Sequence, residues 1–362
     1  MRCRSTAQSF LPVLLTLAGL LAGGCSMHAP DLPTPISNNA VASVIRADGT
    51  WSVFSFMGIT DPTDPSTITP ASYRLDSGAR AWRSISDAPL DDGKARIGAS
   101  AVTVAGKVYL IGGYSVRDDA HEVTEKRLFR YDEAADTFTE LAPVAVEVDD
   151  TLASVYADRY IVLVSGWHGP INDNVSDVQL YDAQTDRWLE GTPLPGRPLF
   201  GHSGGITGQT ILVMDGVARA EDGFEISRVV HVGSIDPDDP TRISWESIEN
   251  RRGRPTYRAA CSATHASSGE VLVLGGTDTP YNISGTGYNG EPCEPLNQLL
   301  AFNADSGRFR ARPFPTGAEP TMDHRGLVPL GDGRWMVVGG MTAPGEASAR
   351  ARILRLRSQA ED

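Results

Sequence analysis

The sequence predicts an all-β protein folded as a six-bladed β-propeller, and three observations carry that expectation. An apolar strand ending in small residues and glycine recurs six times along the 362 residues. A run of small residues precedes that strand across a tight turn, and in most repeats a second hairpin follows it. Repetition at a fixed period marks a repeat architecture, and four-stranded units arranged radially make a propeller. The composition fits. Hydrophobic residues make up 41% of the chain, enough for a packed core, and the 37 Gly and 24 Pro follow no three-residue period, which excludes collagen and favours short strands joined by turns. With 32 Lys+Arg against 45 Asp+Glu the formal net charge is −13. A chain this acidic is a poor phosphate binder, so nucleic acid is not an expected partner.

Residues 1–24 read as an export signal rather than as part of the fold. Arg2 and Arg4 precede an apolar run from Phe10 to Ala22, too short to span a bilayer comfortably, and Leu20-Leu21-Ala22-Gly23-Gly24 leads to Cys25. A cysteine directly after small residues resembles the bacterial lipobox, although Ala22 stands where Leu is usual. The resemblance implies that Cys25 is lipidated, with palmitate among the acyl chains, and becomes the mature N-terminus. It also implies a periplasmic or outer-membrane lipoprotein of the cell envelope that touches the membrane through its lipid alone. Ser26 is compatible with outer-membrane sorting. Residues 25–39, with Pro30, Pro33 and Pro35, read as a tether, and residues 32–37 are expected to supply an edge strand that closes the ring.

The propeller is expected over residues 40–362. Its glycine-ended strands are Val53-Phe54-Ser55-Phe56-Met57-Gly58, Val108-Tyr109-Leu110-Ile111-Gly112-Gly113 and Ile161-Val162-Leu163-Val164-Ser165-Gly166, then Ile211-Leu212-Val213-Met214-Asp215-Gly216, Val271-Leu272-Val273-Leu274-Gly275-Gly276 and Trp335-Met336-Val337-Val338-Gly339-Gly340. Their terminal glycines lie 55, 53, 50, 60 and 64 residues apart. Small-residue runs such as Gly98-Ala99-Ser100-Ala101 suit innermost strands crowded at an axis. The second hairpins run from Tyr131 to Phe138, Tyr181 to Trp188, Phe302 to Phe309 and Tyr73 to Trp82. The sixth repeat ends at Ile353-Leu354-Arg355-Leu356, a third strand without a fourth. Taken in order, these elements resemble the kelch repeat over residues 40 to 357.

In a propeller the connections between second and third strands share one face. Four are long and polar, at 114–126, 167–176, 217–227 and 277–297, so that face is the expected site. The inner strands open with Arg96, Asp149 and Asp150, Phe200 and His202, Tyr257 and Arg258, and His324 and Arg325. Ring geometry is expected to turn them toward one central pocket. Arginines among acids and histidines suit an anionic polar ligand gripped bidentately, with Arg96, Asp149, Arg258, His324 and Arg325 as binding residues. The alternative is that these groups pair with one another and line a wet channel.

Six kelch repeats, an export signal and the start Leu32-Pro33-Thr34-Pro35-Ile36 resemble the periplasmic N-acetylneuraminate epimerases, or sialic acid mutarotases. The resemblance implies a carboxylated sugar and catalysis of ring opening at its anomeric carbon. Arg96 and Arg325 fall where that family carries arginine, and Arg228 matches the arginine downstream of Gly216. The family's glutamate position holds Val217, with Asp215, Glu221 or Glu225 as substitutes. Asp150 and His202 are the expected proton shuttles. A non-catalytic module binding a protein or glycan at the envelope is the alternative reading. A third, copper oxidation of the galactose oxidase kind, would recruit His202, His324, Tyr257 and Cys261, but no tyrosine is followed by histidine and the seven histidines lack metal-ligand spacing. No metal or cofactor is expected, and the chain is expected to be a monomer whose partner is a small carbohydrate or an envelope protein. Cys261 and Cys293 are candidates for a disulfide, which an oxidising compartment permits.

Overall fold

The computed structural model describes residues 26–249, 253–262 and 269–355. They form six antiparallel sheets, each built on a path of four strands, set as the blades of a propeller. Blade I comprises Ala40–Ile45, Trp51–Ile59, Ile68–Asp76 and Arg83–Ile85. Blade II is Ile97–Val104, Lys107–Val116, Leu128–Asp132 and Thr137–Leu141, and blade III is Leu152–Tyr156, Tyr160–His168, Asp173–Asp182 and Arg187–Gly191. Blade IV is Ser203–Thr207, Thr210–Met214, Val229–Ile235 and Ile243–Glu249. Blade V is Ala260–Cys261, Glu270–Leu274, Leu299–Asn303 and Arg308–Arg312. Blade VI has Val328–Gly331, Arg334–Val338 and Ala351–Arg355.

The fourth strand of blade VI comes from the other end of the chain. Ser26–His28 pairs antiparallel with Ala351–Arg355, Ser26 opposite Leu354 and His28 opposite Arg352. Closure by the N-terminal segment is as expected, but the residues differ. Residues 32–37 instead cross from blade VI to blade I through single contacts, Ile36 with Ser348 and Ser37 with Ile59. Pro33 and Pro35 have no N–H to place in a ladder, which keeps that stretch out of a strand. The expected tether at 25–39 is therefore part of the ring from Ser26 onward; Cys25 and the signal segment lie outside the described residues.

Alternation explains where the core sits. Residues on opposite faces of each blade meet opposite neighbours, so six apolar clusters lie between consecutive blades. Phe54, Phe56, Leu110 and Phe129 join blades I and II; Leu272, Leu299, Trp335 and Leu354 join blades V and VI. The recurrent tyrosines add a polar link. Tyr131 Oη donates to Asp136 Oδ1 at 2.7 Å, and that oxygen also accepts the Ser86 N–H of blade I at 2.9 Å. Tyr181, Asp186 and the Ala142 N–H repeat the arrangement one blade on, at 2.7 and 2.9 Å.

Glycine at the end of each second strand is a steric requirement. Gly113 has φ +86°, and a Cβ there would sit 2.6 Å from the Ile97 carbonyl oxygen. The connections beyond these glycines are more ordered than loops. Glu122–Thr124 pairs back onto Tyr114–Val116, Asp173–Val175 onto Gly166–His168, and Val217–Ala220 with Gly223–Ile226, so short hairpins stand on that face.

Candidate functional site

The six strand pairs meet the axis through one repeated device. The residue after each terminal glycine pairs with the residue heading the inner strand: Ile59 with Ser37, Tyr114 with Ile97, Trp167 with Asp149, Val217 with Phe200, Thr277 with Tyr257, and Met341 with Met322. The next residue of each inner strand adopts the left-handed conformation: Asn38 (φ 59°), Gly98 (70°), Asp150 (48°), Gly201 (59°), Arg258 (51°) and Asp323 (64°). Only two are glycines. Side chains rarely tolerate this region, so its retention at Arg258 marks a residue held by its surroundings.

These turned residues link into a ring of hydrogen bonds across the axis. Asp150 N–H donates to Gly98 O (3.2 Å), Gly201 N–H to Asp150 O (2.8 Å), Arg258 N–H to Gly201 O (2.9 Å), His324 N–H to Arg258 O (3.1 Å) and Asn38 N–H to Asp323 O (3.3 Å). Gly98 N–H closes the circle on Asn38 Oδ1 at 2.6 Å. Four charged side chains fill its centre. Arg258 reaches Asp150 at 2.5 Å and Asp323 at 3.3 Å; Arg325 reaches Asp150 at 2.5 Å and Asn38 Oδ1 at 2.7 Å. Ser37 Oγ and Asn38 Nδ2 complete Asp323. Asp150, Arg258 and Asp323 are buried, and the Arg325 side chain is 5% exposed. Burial would raise Asp150, but the Arg258 and Arg325 guanidinium groups outweigh it and hold the carboxyl below its ordinary range.

Cavities lie on either side of this polar septum, and the two larger ones share only Asp150 and Arg258. The inner one, about 40 Å³, is bounded by Ser100, Thr151, His202, Cys261, His324 and Arg325 among others. Burial pushes His202 and His324 down to about 4, so both are neutral at pH 7. The outer cavity, about 280 Å³, opens on the hairpin face. Trp167, Phe200, Phe224 and Tyr288 form its aromatic wall, with ring centroids 4.8–5.8 Å apart along the chain of contacts. Glu122, Asp149, Asn172 and Asn282 supply polar groups, and Glu122 accepts from Asn282 Nδ2 at 3.1 Å. Arg219 enters over Trp167 and Phe224, its Cζ 5.4 and 5.0 Å from their centroids, and pairs with Asp173 at 3.1 Å. Asp149 accepts from Thr124 Oγ1 at 2.9 Å. Burial, reinforced by Asp150 beside it, raises Asp149 well above its ordinary value, which favours the protonated carboxyl. The Tyr114 hydroxyl, also on this cavity, is buried with no hydrogen-bond partner among the described residues.

Several expected site residues lie elsewhere. Arg96 precedes the pairing position by one residue, so its side chain leaves the axis and donates to the Gly112 carbonyl at 2.7 Å above the Phe129 ring. Arg258 and Arg325 are one and three residues after that position in their strands, and both are neutralised by carboxylates. The three arginines do not form a common clamp. Arg228 is exposed at the foot of the Val217 hairpin and does not line the outer cavity. Asp215 is buried and accepts from Thr256 N–H at 2.9 Å, Glu225 pairs with Arg197, and Glu221 is exposed, so none replaces a glutamate at Val217. Cys261 and Cys293 are free. Cys261 packs below the septum with Leu212 and Met214, whereas Cys293 packs under the hairpin face with Tyr281 and Met341. Trp167, Phe224, Tyr288, Arg219 and Glu122 were not singled out in sequence; aromatic residues inside otherwise polar connections were the available signal.

Fold and repeat define a kelch-type propeller. The kelch motif matches residues 95–144, which carry blade II's inner strands and its outer hairpin. Kelch-like protein 34 of Homo sapiens is 26% identical over 161 residues, 42% of this chain, and kelch-like protein 15 of Gallus gallus is 24% identical over 119 residues, 33% of this chain. The aligned region spans 24% of each relative's length. The solved structure of YjhT superposes over 91% of this chain and 97% of its own with a TM-score of 0.70 at 13% identity, a likeness of fold.

Proposed function

We propose that this protein binds a carbohydrate in the outer cavity, with a neutral sugar favoured over a carboxylated one. The observation that carries the reading is the wall of Trp167, Phe200, Phe224 and Tyr288 set against Glu122, Asp149 and Asn282. A pyranose presents an apolar C–H face to aromatic rings and hydroxyls to carboxyl and amide groups, so the two sides of the cavity match the two sides of a sugar. Cations that could hold a sugar carboxylate are already engaged: Arg258 with Asp150 and Asp323, Arg219 with Asp173. This argues against the sialic-acid grip that the family resemblance implies.

Anomerisation remains the chemistry that the cavity supports best. Asp149, whose carboxyl burial raises, would donate to the ring oxygen while Glu122 accepts the proton of the anomeric hydroxyl; general acid–base help of this kind is worth about 10²–10⁴ in rate. Asp150 is locked in two ion pairs and His202 lies beyond the septum, so neither serves as shuttle in this reading. Export and lipid anchoring at Cys25 belong to the same proposal and place the site in the cell envelope. Calorimetry with glucose, galactose, glucosamine and sialic acid tests binding, with Trp167→Ala expected to weaken it at least tenfold. Tighter binding of sialic acid than of every neutral sugar would overturn the preference. NMR exchange between anomers, lost in Asp149→Asn, tests turnover. If no sugar binds at millimolar concentration, the non-catalytic interaction module takes its place.

A further inference from the structure

We infer that the sugar taken by the outer cavity carries a protonated amine, so that the ligand is a 2-amino sugar rather than a plain hexose. The inference deepens the carbohydrate reading and rests on it for the ring; the charge is argued from the cavity alone. Five charged residues line the space: Glu122, Asp149, Asp150, Arg219 and Arg258. Both arginines are engaged inside the protein. Arg258 and Arg325 face Asp150 and Asp323 in the septum, two charges of each sign, and Arg219 faces Asp173. Glu122 and Asp149 make no ion pair among the described residues. Glu122 Oε1 accepts from Asn282 Nδ2 at 3.1 Å, and its Oε2 has no hydrogen-bond partner among those residues. The charge that would balance this cavity is positive.

The Tyr114 hydroxyl points to the same ligand independently. The side chain is 3% exposed and lines the cavity, yet its oxygen has no hydrogen-bond partner among the described residues. Strand register puts it beside the carboxylate: Tyr114 stands opposite Thr124 and Val116 opposite Glu122, so Tyr114 and Glu122 share one face of the hairpin. Burial first, then Glu122, with Asp150 and Asp149 adding, pushes this phenol well above its ordinary value against the pull of Arg258. An ammonium carries three donors and no acceptor, so it can serve Glu122 Oε2 and Tyr114 Oη together, where a sugar hydroxyl has one proton to give. The aromatic wall accepts a cation as well, since Arg219 already lies over the Trp167 and Phe224 rings. No group of three His, Cys, Asp or Glu among the described residues is placed to hold a metal ion, which favours an organic cation. On a 2-amino sugar the amine adjoins the anomeric carbon. Glu122 then meets both the ammonium and the anomeric hydroxyl, and Asp149 stays with the ring oxygen.

Calorimetry on the full chain at about pH 6, where a sugar amine is protonated, compares glucosamine, glucose, N-acetylglucosamine and ethanolamine. Glucosamine is expected to bind at least about tenfold tighter than glucose or N-acetylglucosamine, the effect of one charge-assisted hydrogen bond. Glu122→Gln should bring that ratio below about threefold. Tyr114→Phe should weaken glucosamine about fivefold without lowering the melting temperature, because the hydroxyl it removes has no partner inside the fold. A parent ratio under about fivefold, with glucose bound, overturns the amine and leaves the carbohydrate reading standing. A ratio unchanged in both Glu122→Gln and Tyr114→Phe also overturns the inference. Ethanolamine bound as tightly as glucosamine, with glucose unbound, overturns the carbohydrate reading and the amino sugar with it. No binding of any of the four overturns both.

Discussion

Arg258 offers the sharpest test of the septum. Replacing it with Met keeps an unbranched stem and the same strain at φ 51° while deleting the charge that Asp150 and Asp323 share. Removing one partner of a buried pair typically costs about 3–5 kcal/mol. A Coulomb estimate agrees, since unit charges about 4 Å apart attract by about 4 kcal/mol at an effective dielectric constant near 20. Arg325 still bridges Asp150 at 2.5 Å, which favours the lower end, about 3 kcal/mol. The pH dependence identifies the cause. In the parent, Asp150 is depressed below 3.8, so its contribution is present at neutral pH and lost only as pH falls through the folded value. In Arg258→Met, burial is opposed by Arg325 alone, so Asp150 moves up from its value in the parent. The variant's deficit should then shrink between pH 7 and pH 5. Urea unfolding at both pH values, with Asp150→Asn added to complete a double-mutant cycle, measures this. A deficit under about 1 kcal/mol at pH 7, or one unchanged at pH 5, would refute the claim that this ion pair holds the ring.

Three further outcomes are expected. Arg96→Met should leave stability within about 1 kcal/mol, because burial pushes Arg96 down to about 10, its nearest carboxylate stands 4.0 Å away, and Glu125 keeps its 2.5 Å pair with Arg127; urea midpoints check this. Asp149 is raised above its unfolded value of 3.8, so its favourable contribution is complete below that pH and declines as pH rises; Asp149→Asn should remove this loss, seen as a melting temperature that gains on the parent's from pH 5 to pH 8. His202 is lowered from 6.5 to about 4, so the parent should lose up to about 3 kcal/mol as pH falls across that window, and His202→Gln should flatten the decline in thermal melts at pH 7 and pH 4.5.

The sequence by itself determined the six blades, their order and the face that carries the site, because those depend on local facts. Period-two alternation, a glycine where a Cβ would meet a carbonyl, and turn residues between strands are each written within a few consecutive positions. The tyrosine hairpins were equally legible, although their link through Asp136 and Asp186 to the preceding blade was visible only in the fold. Tertiary structure decided what the charged residues do. Arg96, Arg258 and Arg325 all stand at the head of inner strands, yet they occupy three different places relative to the pairing residue, and a shift of one residue turns a strand side chain to the other face. The left-handed turn at Asp150, Arg258 and Asp323 then gathers pairs that lie 65 and 108 positions apart into one septum, leaving aromatic residues from separate hairpins to build the cavity above it. Such groupings depend on how the ring closes, and closure rests on Ser26–His28 meeting a strand more than three hundred residues away.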